Sequence, residues 1–328
     1  MPERPVWKIA EEEHALFSLL LLGGSLVMPV HAADAQNWLN RLLKAEKQQS
    51  FQGTFVYERN GSFSTHAIWH QAGQDGESRE RLLKLDGAPV EVVRVGGRLQ
   101  CGSNALADQL FEGEPWPPRP LDPQKLAEWY EVRMASESRV AGRAAVVLSI
   151  LPRDQYRYGF ELHLDRETAL PLKFLLLNEK GQLLERFQFT RLDTSTTLAK
   201  DELEPGPSCR PVEILQAAEP EPGAWRSEWL PPGFTLRGMH AQPSPISGET
   251  ITYLMYGDGL ARFSVFIEPL QGALVEDARS QLGPTVAVSK RMSTADGDMM
   301  VTVIGEIPLG TAERIALSMR AGEAQADR

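Results

Sequence analysis

The alternation of apolar and polar positions changes period several times along this chain, and each change marks an element. Ala15 to Leu22 is almost wholly apolar, and the stretch it opens closes at Val30-His31-Ala32. An apolar core ended by a small-x-small site has the form of a secretory signal peptide, here residues 1–32. Interrupted by Gly23, Gly24 and Pro29, the stretch is short for a membrane span. Glu11, Glu12 and Glu13 stand where basic residues are usual. They put the start codon in doubt and leave an uncleaved anchor as the alternative. Residues 34–49 then carry a helical period, with Asp34 as N-cap and Trp38, Leu39, Leu42, Leu43 and Ala45 on one stripe.

Beyond the helix the period becomes two. Strands are predicted over 51–59 and 62–70, joined at Asn60-Gly61, a strong hairpin signal. A turn centred there puts Phe51, Gly53, Phe55 and Tyr57 on one face with Ser64, His66, Ile68 and His70. Further strands follow at 90–95, 98–101, 144–151, 157–164, 170–178 and 182–191. A second helix starts at Asp122-Pro123 and carries Leu126, Trp129 and Tyr130. Residues 33–193 thus read as a long antiparallel sheet curled beside two helices, a half-barrel.

The composition shifts at 194–223, where Thr194-Ser195-Thr196-Thr197, an acidic cluster and five prolines read as a linker. Residues 224–320 have a pattern of their own. Strands are expected near 233–242, 249–256, 260–269, 285–292 and 299–306, with helices near 273–282 and 311–320. Residues 321–328 read as a frayed tail. The fold class is α+β: a large curled antiparallel sheet, then a smaller α+β domain with an antiparallel sheet.

Charge narrows the choice of partner. Of 328 residues, 44 are acidic and 34 basic; removing residues 1–32 takes four acids and two bases, leaving 40 against 32 and a charge of −8. Without a basic excess to displace counterions, nucleic acid is not an expected partner. Cys101 and Cys209 are the two cysteines. In an oxidising compartment an even pair reads most simply as a disulfide, with two buried free thiols as the alternative.

Catalytic or metal chemistry finds little support. His66 and His70 stand four apart, but on a strand that spacing is about 13 Å, too far for one zinc ion. They read as pocket-lining or core histidines. Glu161, His163 and Asp165 share a strand face and could relay a proton, although a solvated face explains them equally well. Neither a Gly-x-Ser-x-Gly elbow nor a phosphate loop occurs. No enzyme, cofactor or metal is expected. The aromatic residues point instead to an apolar ligand, since a sheet curled over helices encloses a cavity. Phe51, Phe55, Tyr57 and Ile68, with Trp116, Trp129 and Tyr130, are candidate lining residues, and ordinary core packing is the alternative.

Five segments carry a family resemblance: Ser50 to Tyr57, Arg157 to Asp165, Asn178 to Leu183, Trp229-Leu230-Pro231-Pro232-Gly233-Phe234 and Tyr256-Gly257-Asp258-Gly259-Leu260. With them the chain resembles the MucB/RseB family over both domains, and most closely its alginate-regulating branch. The resemblance implies a periplasmic negative regulator of an envelope-stress sigma factor. Such a protein binds the periplasmic segment of a membrane-spanning anti-sigma factor of the MucA/RseA type and shields it from regulated proteolysis. The resemblance also implies a large domain like the lipoprotein carriers LolA and LolB, and release on sensing lipid or lipopolysaccharide. A carrier without a regulatory partner is the alternative, and a hydrolase using Glu161 and His163 a weaker one. A carrier needs only the large domain, so the small one asks for a second role. Trp229, Leu230, Phe234, Tyr256, Arg262 and Phe263 are therefore candidate partner contacts, with packing of the small domain's own core as the alternative. Whether the chain forms homo-oligomers stays open.

Overall fold

The computed structural model describes residues 30–73, 77–88, 90–103, 123–211, 225–243, 248–270, 275–295 and 297–322. Residues 1–29 of the expected signal peptide, Trp116 and the end of the tail lie outside them. Helix α1 (Val30–Gln48) buries Leu39, Leu42 and Ala45 of the predicted stripe together with Ala35, while Trp38 and Leu43 are half-buried and Asp34 lies within the helix rather than capping it. Strands β1 (Phe51–Arg59) and β2 (Ser62–Gln71) follow, and both turn residues, Asn60 at φ 52° and Gly61 at φ 73°, are left-handed, as a type I′ hairpin requires. The turn sets the register: Phe51 faces His70, Gly53 faces Ile68, Phe55 faces His66 and Tyr57 faces Ser64, as expected.

The large domain continues with β3 (Arg79–Lys84), β4 (Glu91–Val95), β5 (Arg98–Gly102), α2 (Pro123–Trp129), β6 (Tyr130–Val140) and β7 (Arg143–Pro152). It closes with β8 (Gly159–Asp165), β9 (Pro171–Leu177), β10 (Leu183–Asp193), α3 (Lys200–Leu203) and β11 (Arg210–Pro211). All eleven strands form one open antiparallel sheet, in the order β11-β5-β4-β3-β2-β1-β10-β9-β8-β7-β6. Two meanders, β1 to β5 and β6 to β10, are thus sewn together by the pairing of β1 with β10. Helix α1 contributes to both halves of the core, Ala45 on the β1 side and Ala35, Leu39 and Leu42 on the β7–β8 side.

Three features differ from the expectation. Arg79–Lys84, four of its six residues charged, is a strand because its buried Glu80 finds Arg94 and His70 alongside. Tyr130 opens β6 rather than ending the second helix, which stops at Trp129. Most of the segment read as a linker belongs to the sheet domain. Asp193 caps the turn at Ser195 and Thr196, Leu198 and Leu203 are buried, and β11 pairs with β5. Beside that pairing Cys101 and Cys209 form a disulfide with Cα atoms 5.4 Å apart.

The small domain comprises β12 (Trp225–Ser227), β13 (Thr235–Pro243), β14 (Thr250–Gly257), β15 (Arg262–Pro269), β16 (Ala278–Leu282), β17 (Thr285–Thr294), β18 (Gly297–Gly305), α4 (Leu309–Ser318) and β19 (Met319–Ala321). Six strands form an antiparallel sheet, β13-β14-β15-β18-β17-β16, while β12 and β19 pair separately. Ile315, Ala312 and Ala316 of α4 are buried on the valine-rich face of β15, β17 and β18. The helix expected near 273–282 is instead the edge strand β16, exposed throughout. Among the described residues no helix is long and apolar enough to cross a membrane.

Candidate functional site: the junction between the domains

Arg157, in the loop between β7 and β8, is the largest fully buried side chain of the described residues, and its partners come from both domains. Within the large domain it donates from Nε to Asp154 Oδ1 (3.1 Å) and from Nη2 to Asp154 Oδ2 (2.8 Å). Across the junction Nη1 donates to Asp258 Oδ2 and Nη2 to the Pro232 carbonyl, both at 2.5 Å. Asp258 lies in the turn between β14 and β15, its side chain as inaccessible as that of Arg157. Its Oδ1 accepts the Leu260 and Ala261 amides (2.8 and 2.7 Å), which fixes the turn, and its Oδ2 also accepts the Tyr130 hydroxyl (3.1 Å). Burial and the Asp258 charge raise the Tyr130 pKa, so this hydroxyl stays a donor. Burial opposes the charge on Arg157, but Asp154 and Asp258 outweigh it and hold the guanidinium ionised.

The rings of Trp129, Tyr130 and Phe234 surround the guanidinium with centroids 5.7, 5.5 and 5.1 Å away. Gly233 completes the seat. Its φ of +85° suits glycine, and a Cβ there would stand 2.3 Å from Trp129 Nε1. At the rim Arg314 of α4 lies 3.8 Å over the Trp229 ring and reaches the Tyr156 hydroxyl (3.3 Å).

A second ionic group closes the junction elsewhere. Arg59 at the end of β1 donates to Glu185 Oε2 (3.1 Å) and the Tyr57 hydroxyl (3.1 Å) in its own domain. Towards the small domain it donates to Glu306 Oε1 (2.8 Å) and Thr285 Oγ1. A polar pocket of about 260 Å³ opens beside it, lined by Glu58, Asn60, Gly61, Leu183, Leu184 and Gly283. Burial and the Glu306 charge, opposed by Arg59, raise the Glu185 pKa to about 7. A carboxyl that binds its proton more tightly in the junction than in water stabilises it fully below about pH 4.5. That contribution is lost as the pH rises to about 7. Glu185→Gln is therefore expected to flatten the fall in thermal stability over that window; an unchanged slope would show that Glu185 does not titrate there.

Three of the five resemblance segments, 157–165, 229–234 and 256–260, thus meet at one buried arginine. Residues 34–207 match the MucB/RseB N-terminal domain and residues 219–320 the MucB/RseB C-terminal domain. The chain belongs to the MucB/RseB family. The sigma factor AlgU regulatory protein MucB of Pseudomonas aeruginosa is 65% identical over 303 residues, 92% of this chain and 96% of that protein. Among solved structures, the Pseudomonas aeruginosa MucA/MucB complex superposes with a TM-score of 0.80 at 65% identity, covering 89% of this chain and 100% of that one. A structure of MucB gives 0.68 at 63% identity, covering 88% and 98%.

In this MucB/RseB chain the candidate ligand residues are mostly core. Phe51, Phe55 and Ile68 are buried, and the rings of Phe51 and Phe55 pack on His70 and His66 and on Phe187 and Phe189. Tyr57 is half-buried and bound to Arg59, while Trp129 and Tyr130 belong to the junction. The candidate partner residues divide similarly. Phe234, Tyr256 and Phe263 are buried and pack their rings together in the small-domain core, the alternative carried for them, and not on its surface. Trp229, Leu230 and Arg262 are only partly buried. His66 and His70 are core histidines, and burial lowers His66 to about 4. Of the trio Glu161, His163 and Asp165, the last two are buried and Glu161 is half-buried, and the hydrogen bonds fall into two separate groups. His163 contacts Glu161 and Ser138, each at 2.7 Å, and Asp165 accepts Arg143 and the Thr168 hydroxyl. Sequence reasoning missed Arg157 and Asp154, although a loop Asp-x-x-Arg pattern beside aromatics was a usable signal.

Proposed function

We propose that this chain regulates a sigma factor from the periplasm, by binding rather than by catalysis. It holds the periplasmic segment of a membrane-spanning anti-sigma factor of the MucA type and shields it from regulated proteolysis. The observation that carries this reading is the 65% identity to MucB through both domains, together with the superposition on MucB in its MucA complex. Trp229, Leu230 and Arg262 are the contact residues proposed from the small domain, since they remain partly accessible near its junction side. Lipid or lipopolysaccharide releases the partner. For an acyl chain to reach Phe51, Phe55 and Ile68, the packing that now covers them must give way. If ligand and partner favour different arrangements, each weakens the other's binding by the same factor, about 5–150-fold for a typical coupling of about 1–3 kcal/mol.

The test uses the chain from residue 33, a MucA-type periplasmic segment and the envelope protease that makes the first cut. Tight capture and a slowed cut are expected, with both lost on adding lipopolysaccharide. A chain ending at Pro211 keeps the whole eleven-stranded sheet and its disulfide, and it is expected to stay folded but to capture no segment. Full protection by that shortened chain would remove the small domain from the partner site. Absence of capture by the two-domain chain would overturn the reading itself.

A further inference from the structure

We propose that Arg157 and Asp258 form a reversible lock that holds the two domains in the arrangement competent for the anti-sigma partner; this rests on the function proposed above. Among the described residues no strand pairing crosses the junction, because each sheet draws its strands from one domain. Side chains must therefore define how the domains meet. Arg157 is the one among them that is wholly buried and ion-paired to both sides, to Asp154 and to Asp258. The arrangement in which this pair is closed superposes better on MucB in its MucA complex than on the other MucB structure, at nearly equal identity.

The chemistry suits a lock better than a permanent weld. Both charges are desolvated when the junction is closed, and that cost offsets much of their attraction. When it opens, both regain water, and Arg157 keeps Asp154. The pair itself thus adds little net free energy to closure, and a ligand with a preference for either arrangement can move the population. Removing a single partner behaves differently. Arg157→Met preserves length and apolar contact with the surrounding rings, but it leaves Asp258 buried with no cation. Opening then becomes the way to hydrate that carboxylate. Asp258→Asn keeps the Oδ1 acceptor for the Leu260 and Ala261 amides, and it leaves Arg157 with Asp154. Its effect is the smaller of the two. Removing both charges together takes away the reason to open.

The experiment uses the full chain from residue 33, spin-labelled at Lys180→Cys and Leu317→Cys, both exposed positions on opposite domains. Distance distributions are recorded beside capture of a MucA-type periplasmic segment. Arg157→Met is expected to lengthen and broaden the interdomain distance and to weaken capture on the order of tenfold or more. Arg157→Met with Asp258→Asn is expected to bring both back towards the parent, a recovery that a simple packing role would not produce. An unchanged distance, an opened junction with capture intact, or a double variant as impaired as the single would each overturn the lock. Should Arg157→Met fail to fold, Asp258→Asn alone carries the test through the same two readings. If the parent chain captures no segment, the proposed function fails, while the distance measurements still decide whether the lock exists.

Discussion

Phe55→Ala is expected to destabilise the large domain by about 3–5 kcal/mol. The ring stacks on His66 (centroids 5.0 Å apart, planes 9° from parallel) and meets Phe187 at 4.5 Å and Phe189 at 6.0 Å. Only 6% of the residue is exposed, so alanine leaves a cavity under β1 and β10. Neither strand can collapse into it, because each is paired on both sides. For a domain of this size the loss amounts to about 2–4 °C of melting temperature per kcal/mol. Urea unfolding followed by signals from each domain measures it, and the small-domain transition should not move. The same measurement separates core from cavity lining. A ring facing open ligand space forfeits little packing on truncation, so a shift well under 1 kcal/mol would return Phe55 to the ligand surface.

Loss of the disulfide is expected to cost nearly as much. Cys101 and Cys209 are 108 residues apart, and cross-linking a loop of that size is worth about 4–5 kcal/mol in the chain-entropy model. The bond also has local work. Strand β11 is two residues long and cannot hold its place by two backbone pairings alone. Its other attachments include the Gly206 amide on Glu91 Oε1 (2.9 Å), Arg81, which bridges Glu91 and the Glu202 carbonyl (2.6 and 3.1 Å), and Arg79 on Glu204 (3.2 Å). Replacing both cysteines by serine should therefore lower the large-domain unfolding midpoint and expose the segment after Leu203 to early proteolytic cutting. Coincident unfolding curves with and without reductant, and an unchanged cleavage map, would show that the Glu91 attachments suffice.

Much of the architecture was legible because it depends on neighbours in the chain. Asn60-Gly61 admits the left-handed backbone of a tight hairpin, and that turn dictated which residues of β1 and β2 face one another. Leu39, Leu42 and Ala45 on α1 and Ile315 on α4 report burial through a 3.6-residue period in the same direct way, whereas Leu317 of α4 is apolar yet exposed. Where local signal and tertiary context disagreed, context won. Arg79–Lys84 is too charged to read as a strand, yet the sheet supplies Arg94 and His70 to its Glu80. The exposed edge β16 has no buried face to impose an alternation.

By itself the sequence determined the two domains, their antiparallel sheets and the segments that identify the family, while the pairing of Cys101 with Cys209 was settled by the fold. Tertiary structure alone decided what those segments are for. Arg157 and Asp258 are 101 residues apart, and no periodicity relates a loop of one domain to a turn of the other. Nor could composition tell that Phe55 packs against Phe187, or that Gly233 is glycine because Trp129 of the other domain leaves no room for a Cβ. Local pattern records whether a residue is buried. Which residue it is buried against is a property of the folded chain, set by the long-range contacts that desolvate a charge and then must satisfy it.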